Sequence, residues 1–278
     1  LFIVRKALKV EENVYNFLLL KIVRPWIHRF TTLLVRYPAF FLGLLVGGYT
    51  VVMSFVTVLR HISYHTQAFD LGIFDQVLWN IVHGNGVYSS ILGRHFFGEH
   101  FSPILLFMAP LYWIYADPKL LLILQSGALA SGAIPIYWLA RKKLEHPQLA
   151  VLFAFLYVCY QPLRNVNLYD FHPIALTTPL LLFAFFYLEQ RKYLIFGLFL
   201  MFALGCQEEI TLIVFIFGIY IAFVQKNRAL GVVFALFGIS MFALDIWVII
   251  PFYLGAPFGF VSRYNYLGKN IPEMLQTL

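Results

Sequence analysis

Charge is scarce in this chain. Asp, Glu, Lys and Arg make up 12% of the residues, against about 25% in a soluble globular domain, so there are too few of them to coat a water-facing surface. Cysteine is nearly absent too. Cys159 and Cys206 are the only two, and neither a disulfide framework nor a paired-cysteine metal motif can be built from them. The sequence contains no glycine-rich phosphate loop, nucleophile elbow or zinc-binding helix pair. His83-Gly84-Asn85-Gly86 has turn chemistry. Polar stretches long enough to fold as a separate soluble domain are missing as well.

What is present is apolar. Hydrophobic residues reach 61% and aromatics 19%, with 30 Phe, and the mean hydropathy is +0.80. Long apolar runs recur with short polar breaks. This predicts an all-α integral membrane protein, a bundle of about seven transmembrane helices with a long first outer loop containing juxtamembrane helices. The expected spans are 37–59, 119–140, 148–163, 174–189, 193–207, 210–224 and 229–250. Segment 102–116 is apolar but short and carries Pro103 and Pro110, which predicts a helix lying at the outer interface. Residues 1–36 form a basic cytoplasmic or interfacial arm, and 37–278 form the transmembrane domain, expected to be incomplete at its C-terminus. The Gly43-x-x-x-Gly47 pair predicts a helix-packing notch in the first span.

The net charge of +7 does not point to nucleic acid, because the cations sit at helix ends and in the arm. Placing the arm in the cytoplasm puts fourteen of the twenty Lys and Arg on that side, including Arg141, Lys142, Lys143, Arg191 and Lys192. That is the expected inward bias. Counting 102–116 as a span would reverse it.

The acidic residues divide the other way, and three groups on the outer side carry chemistry. Asp70 stands about ten residues beyond the first span with apolar flanks, where a carboxylate serves as a base, a cation ligand or a helix cap. Asp170 and His172, at i and i+2 in a loop, share one side of an extended backbone and are common divalent-cation ligands, although turn chemistry explains them equally well. Glu208 and Glu209 are the only charges between Tyr193 and Val224. Adjacent carboxylates at that depth need a proton, a cation or basic partners such as His100, Arg94 or Arg164.

The order of these features resembles the GT-C superfamily of membrane glycosyltransferases. More closely, 69–80 (FDLGIFDQVLWN), 100–103 (HFSP), 170–173 (DFHP) and 263–268 (RYNYLG) are similar to a bacterial family of predicted membrane proteins of unknown function. The GT-C resemblance implies that Asp70 is the catalytic carboxylate, and that Asp70, Asp170 and His172 hold a divalent metal ion, Mg or Mn, in members that use one. Arg94, Arg164 and Arg263 would face the phosphate, and His100, Glu208 and Glu209 would line the substrate site. The implied reaction is glycosyl transfer from a polyprenyl-phosphate sugar at the non-cytoplasmic face of a bacterial plasma membrane. Expected partners are membrane lipids, that donor and other subunits of a membrane complex. Two alternatives stand beside it. A non-catalytic scaffold or accessory subunit could retain the fold. A transporter would place charges at mid-membrane on interrupted helices, whereas here the acids gather towards one face.

Overall fold

The computed structural model describes residues 24–259 and residue 273. Helix α1 (Arg24–Arg36) leads across Tyr37 into α2 (Pro38–Ile62). Proline at the first position of α2 suits a helix start, where its missing N–H costs nothing. At 25 residues the helix is about 37 Å long, enough to cross a bilayer. Phe40, Leu44, Val51, Val52, Phe55 and Leu59 are all exposed along it, while Leu42, Met53 and Thr57 are buried. A helix with exposed large apolar groups and a narrow buried seam has lipid as its solvent.

The long loop after α2 follows. A π-helical turn (Ala68–Gly72) runs into α3 (Ile73–Val82), then into a two-residue hairpin of β1 (Tyr88–Ser89) and β2 (Arg94–His95). Gln76 anchors the hairpin: its side-chain oxygen accepts from Ser89 Oγ at 3.0 Å and from the Ser90 amide at 2.9 Å. Segment 102–116 forms α4 (Ile104–Met108) and a 3-10 continuation (Ala109–Trp113). Ten residues of this kind extend about 18 Å, too short to cross as the outer-interface reading requires.

Helices α5 (Pro118–Ser131) and α6 (Ala133–Leu144) follow, together making one apolar 27-residue stretch, Pro118–Leu144. Asp117 starts it by accepting from the Lys119 amide at 2.8 Å, and Glu145 ends it in the left-handed region at φ 59°. Next come α7 (Pro147–Val158) and α8 (Gln161–Leu168), bent by 42°, then a 3-10 turn (Pro173–Leu176) leading into α9 (Thr177–Glu189). Helices α10 (Tyr193–Leu204), α11 (Ile210–Phe223) and α12 (Arg228–Leu244) follow, with α12 passing through a π-helical turn (Asp245–Ile249) into α13 (Ile250–Leu254).

Among the described residues three stretches are long and apolar enough to cross a membrane, Pro38–Ile62, Pro118–Leu144 and Arg228–Leu254, and the bent α7–α8 pair makes a fourth. The other three expected spans are the shorter apolar helices ending at Glu189, Leu204 and Phe223. The all-α membrane class holds, and the length-based count is lower than seven because polar turns cut these helices short.

Helix α2 packs on α5 and α7, α9 on α10, and α11 on α12. Among the described residues nothing fills the packing notch expected at Gly43 and Gly47: a Cβ at either position meets nothing within 4 Å. The close approach lies between α11 and α12 instead. A Cβ on Gly231 would fall 2.5 Å from the Ala222 amide nitrogen, and one on Gly238 2.5 Å from that of Phe215. Glycine spacing marks a small helix surface but not which helix meets it.

Candidate functional site

The loop after α8 is held by a polar ladder buried inside the bundle. Gln125 on α5 is fully buried, and in an apolar helix its amide must find partners. It donates to the Val166 carbonyl at 3.3 Å and accepts from the His172 amide at 3.0 Å, clamping the chain on both sides of Tyr169 and Asp170. Beside it Ser126 Oγ donates to Asn167 Oδ1 at 3.0 Å, and Asn167 Nδ2 donates to the Tyr49 hydroxyl at 3.3 Å. A loop so tied can present its side chains in fixed positions.

Those side chains meet the Asp70 turn. His172 Nε2 stands 3.2 Å from Asp70 Oδ1, with the two side chains 29% and 20% exposed. Tyr169 donates its hydroxyl to Asp70 Oδ2 at 3.2 Å, and Asp170 Oδ2 accepts from the Gln67 amide at 2.7 Å. Residues separated by about a hundred positions thus form one group at the surface. The other ring nitrogen of His172, Nδ1, lies 2.9 Å from the Asp170 carbonyl. A carbonyl only accepts, so Nδ1 carries a proton, and Nε2 is the nitrogen left to exchange one with Asp70 or a hydroxyl. Burial pushes the Asp170 carboxyl above its ordinary range; the Gln67 amide offsets part of this, and Asp70 adds to it. The charge on Asp70 raises the Tyr169 hydroxyl. Arg60 is near enough for its charge to act on Asp170.

A divalent ion at Asp70, Asp170 and His172 fits this arrangement poorly. No group of three His, Cys, Asp or Glu among the described residues is placed to hold a metal ion, and Asp170 is already committed to the Gln67 amide.

Glu208 belongs to a second group. It is buried, with its carboxylate 2.9 Å from His100 Nδ1 and accepting from the Phe101 amide at 3.1 Å. Gln207 Nε2 lies 3.2 Å from the same His100 nitrogen, and the Ile104 amide donates to the Gly205 carbonyl at 2.7 Å. These bonds sew the 100–104 loop to the α10–α11 turn. Burial works against a charged His100, but the Glu208 hydrogen bond and charge outweigh it and raise the imidazole above its ordinary value. Glu209 is exposed, and partial desolvation followed by the neighbouring Glu208 raises its carboxyl. Asp245, 2% exposed in the π-helical turn, lies within electrostatic range of Glu208. Phe74, whose ring packs against His172 and also against Phe96, belongs to the apolar core lying beside both groups.

Of the other expected residues, Arg94 pairs with Glu99 rather than with Glu208. Arg164 lies exposed on α8, its charge reaching Tyr49, and Arg263 is outside the described residues. Tyr169, Gln125 and Arg60 were not singled out by the sequence. A lone amide in the middle of an apolar helix is the signal that could have found Gln125.

An apolar cleft of about 320 Å³ opens among α4, α5, α9 and α10, with none of the Asp70 group in its lining. Leu176, Pro179 and Leu180, a few residues beyond His172, form one wall with Phe183; Ile104 and Met108 of α4 face them.

No curated protein and no solved structure matches the chain. Residues 60–278, most of its length, match the family described as "Predicted membrane protein (DUF2079)". The chain therefore belongs to this family of predicted membrane proteins of unknown function.

Proposed function

We propose that the protein transfers a sugar from a polyprenyl-phosphate donor to an acceptor hydroxyl at the face bearing Asp70. The observation that carries this reading is the contact between Asp70 and His172, held by a clamped loop whose continuation from Leu176 lines an apolar cleft. The acceptor oxygen attacks the anomeric carbon, and the bond from that carbon to the phosphate oxygen breaks. The electron pair leaves with the polyprenyl phosphate. Asp70 takes the hydroxyl proton, with His172 Nε2 beside it to receive it in turn. The cleft takes the first isoprene units of the donor. With Arg94 occupied by Glu99, Arg60 and Arg164 are the described cations left to face the phosphate.

The experiment is transfer of labelled sugar from a panel of polyprenyl-phosphate donors by the full-length protein in liposomes. Asp70→Asn is expected to lower the rate about 10²–10⁴-fold. Asp75→Asn is the control: Asp75 accepts from Tyr112 at 2.8 Å, and the amide oxygen of Asn can still accept, so its effect is mild. A folded wild type inactive across the panel would support the scaffold reading instead.

A further inference from the structure

At the opposite end of α6 and α9 from the Asp70 group, a cleft of about 480 Å³ opens between the two helices. Gln125, which holds His172, precedes Arg141 by sixteen residues on the Pro118–Leu144 stretch, about 24 Å along a helix. The cleft therefore lies towards the other polar boundary of the bundle. Trp138 and Phe186 give it an apolar floor, their rings 4.9 Å apart. Arg141, Lys142 and Lys192 surround that floor, and no carboxylate is among the lining residues.

Positive charge is in excess there, although the Glu189 charge reaches Lys142. Lys142 Nζ donates to the Gln190 side-chain oxygen at 2.9 Å, a neutral partner. The carboxyl-terminal ends of α6 and α9 supply about half a negative charge each, against three cations. A neighbouring cleft on the same pair of helices contrasts with it. There Lys143 is neutralised by Glu189 at 3.1 Å, and Tyr220 completes the carboxylate at 2.7 Å. Lys143 is thus paired within the fold, Lys142 meets the same carboxylate only through its charge, and Arg141, Lys142 and Lys192 line the aromatic floor with no carboxylate among them.

We propose that this cleft binds the headgroup of an anionic phospholipid. Arg141, Lys142 and Lys192 hold its phosphate, and the glycerol and first acyl carbons lie on Trp138 and Phe186. A basic pocket between transmembrane helices at the headgroup level selects anionic lipid in this way. A free phosphate would meet the same cations but leave the aromatic floor uncovered, so an amphipathic anion fits the whole surface better.

Native mass spectrometry of the detergent-purified full chain tests it, using phosphatidylglycerol, phosphatidylcholine and inorganic phosphate as probes. The expected result is strong retention of phosphatidylglycerol over phosphatidylcholine, undisturbed by low-millimolar phosphate. R141Q/K192Q removes two cations at about fivefold each, a loss of roughly 25-fold. K143Q leaves retention unchanged. Equal retention of the two lipids, or full retention by R141Q/K192Q, overturns the proposal. Displacement by low-millimolar phosphate overturns the lipid assignment and makes the site one for a small anion. Should R141Q/K192Q fail to fold, the charge-preserving R141K/K192R must keep the selectivity. Brominated phosphatidylglycerol must also quench wild-type fluorescence more than that of W138F. Failure of either result overturns the proposal.

Discussion

Two acid–histidine pairs sit on the side of this molecule bearing the loop after α2, and they differ in what surrounds them. Asp70 and His172 are 20% and 29% exposed, and the hydrogen-bond partners of that group are a tyrosine hydroxyl and main-chain atoms. Glu208 is 3% exposed; its carboxylate takes both His100 and a backbone amide, in a seam that joins the 100–104 loop to the α10–α11 turn. The first pair leaves His172 Nε2 and the carboxylate edge of Asp70 reachable from outside. The second spends its hydrogen bonds on holding two segments together. The same residue types therefore separate into a group suited to proton exchange and a group suited to structure, and burial and the segments their partners join make the distinction.

The comparison breaks most visibly at Glu208. Glu208→Ala removes the carboxylate beside His100 and the acceptor of the Phe101 amide in a buried seam, which costs about 3–5 kcal/mol. The thermal midpoint in detergent should fall steeply; a midpoint matching wild type would show that the seam is not held by this carboxylate. Gln125→Ala is next, at about 1–3 kcal/mol for the unsatisfied His172 amide and Val166 carbonyl. Because it loosens the loop carrying His172, transfer should drop further than stability alone explains. A variant with lowered midpoint and normal rate would separate the clamp from function.

A pH series sharpens the contrast at lower amplitude. His100 is raised above 6.5 in the folded protein, so the stability it contributes is complete below that value and is lost as pH rises through its folded value. Asp170 and Glu209 are raised from 3.8 and 4.5, and they act in the same direction at lower pH. The midpoint should therefore decline as pH rises above 6.5, and His100→Gln should flatten that part of the profile. An unchanged slope in His100→Gln would assign the titration to another group. The smallest effect belongs to Arg94→Gln, whose partly exposed pair with Glu99 contributes about 0–1 kcal/mol. Loss of transfer on the scale of Asp70→Asn would return Arg94 to the site.

Much of this was legible in the sequence because hydrophobic period and charge position report on local environment. The first span, the helix from Pro118, the bent pair and the last span fell where apolar runs begin and end. The Asp70, Asp170 and His172 grouping was anticipated from the resemblance, since residues a hundred positions apart leave no local signal of contact. Partner choice was not legible. His100, Arg94 and Arg164 were equal candidates for Glu208, and the bonds that tie 100–104 to the α10–α11 turn decided for His100. Gly43 and Gly47 misled for a related reason: four-residue spacing describes one helix, while the backbone of α12 meeting Gly218 is a property of two. Tyr169 was missed because an exposed tyrosine beside an acid is common on any surface.

The central claim is that Asp70 and His172 act as one unit, and a double-mutant cycle on transfer rate tests it most directly. Rates are measured for wild type, Asp70→Asn, His172→Gln and the double variant, each normalised to its folded fraction. Groups working as a unit are strongly non-additive, so the double variant should be about as slow as the slower single variant. Losses that multiply would show two independent contributions, and wild-type rate in Asp70→Asn would remove the pair from the reaction.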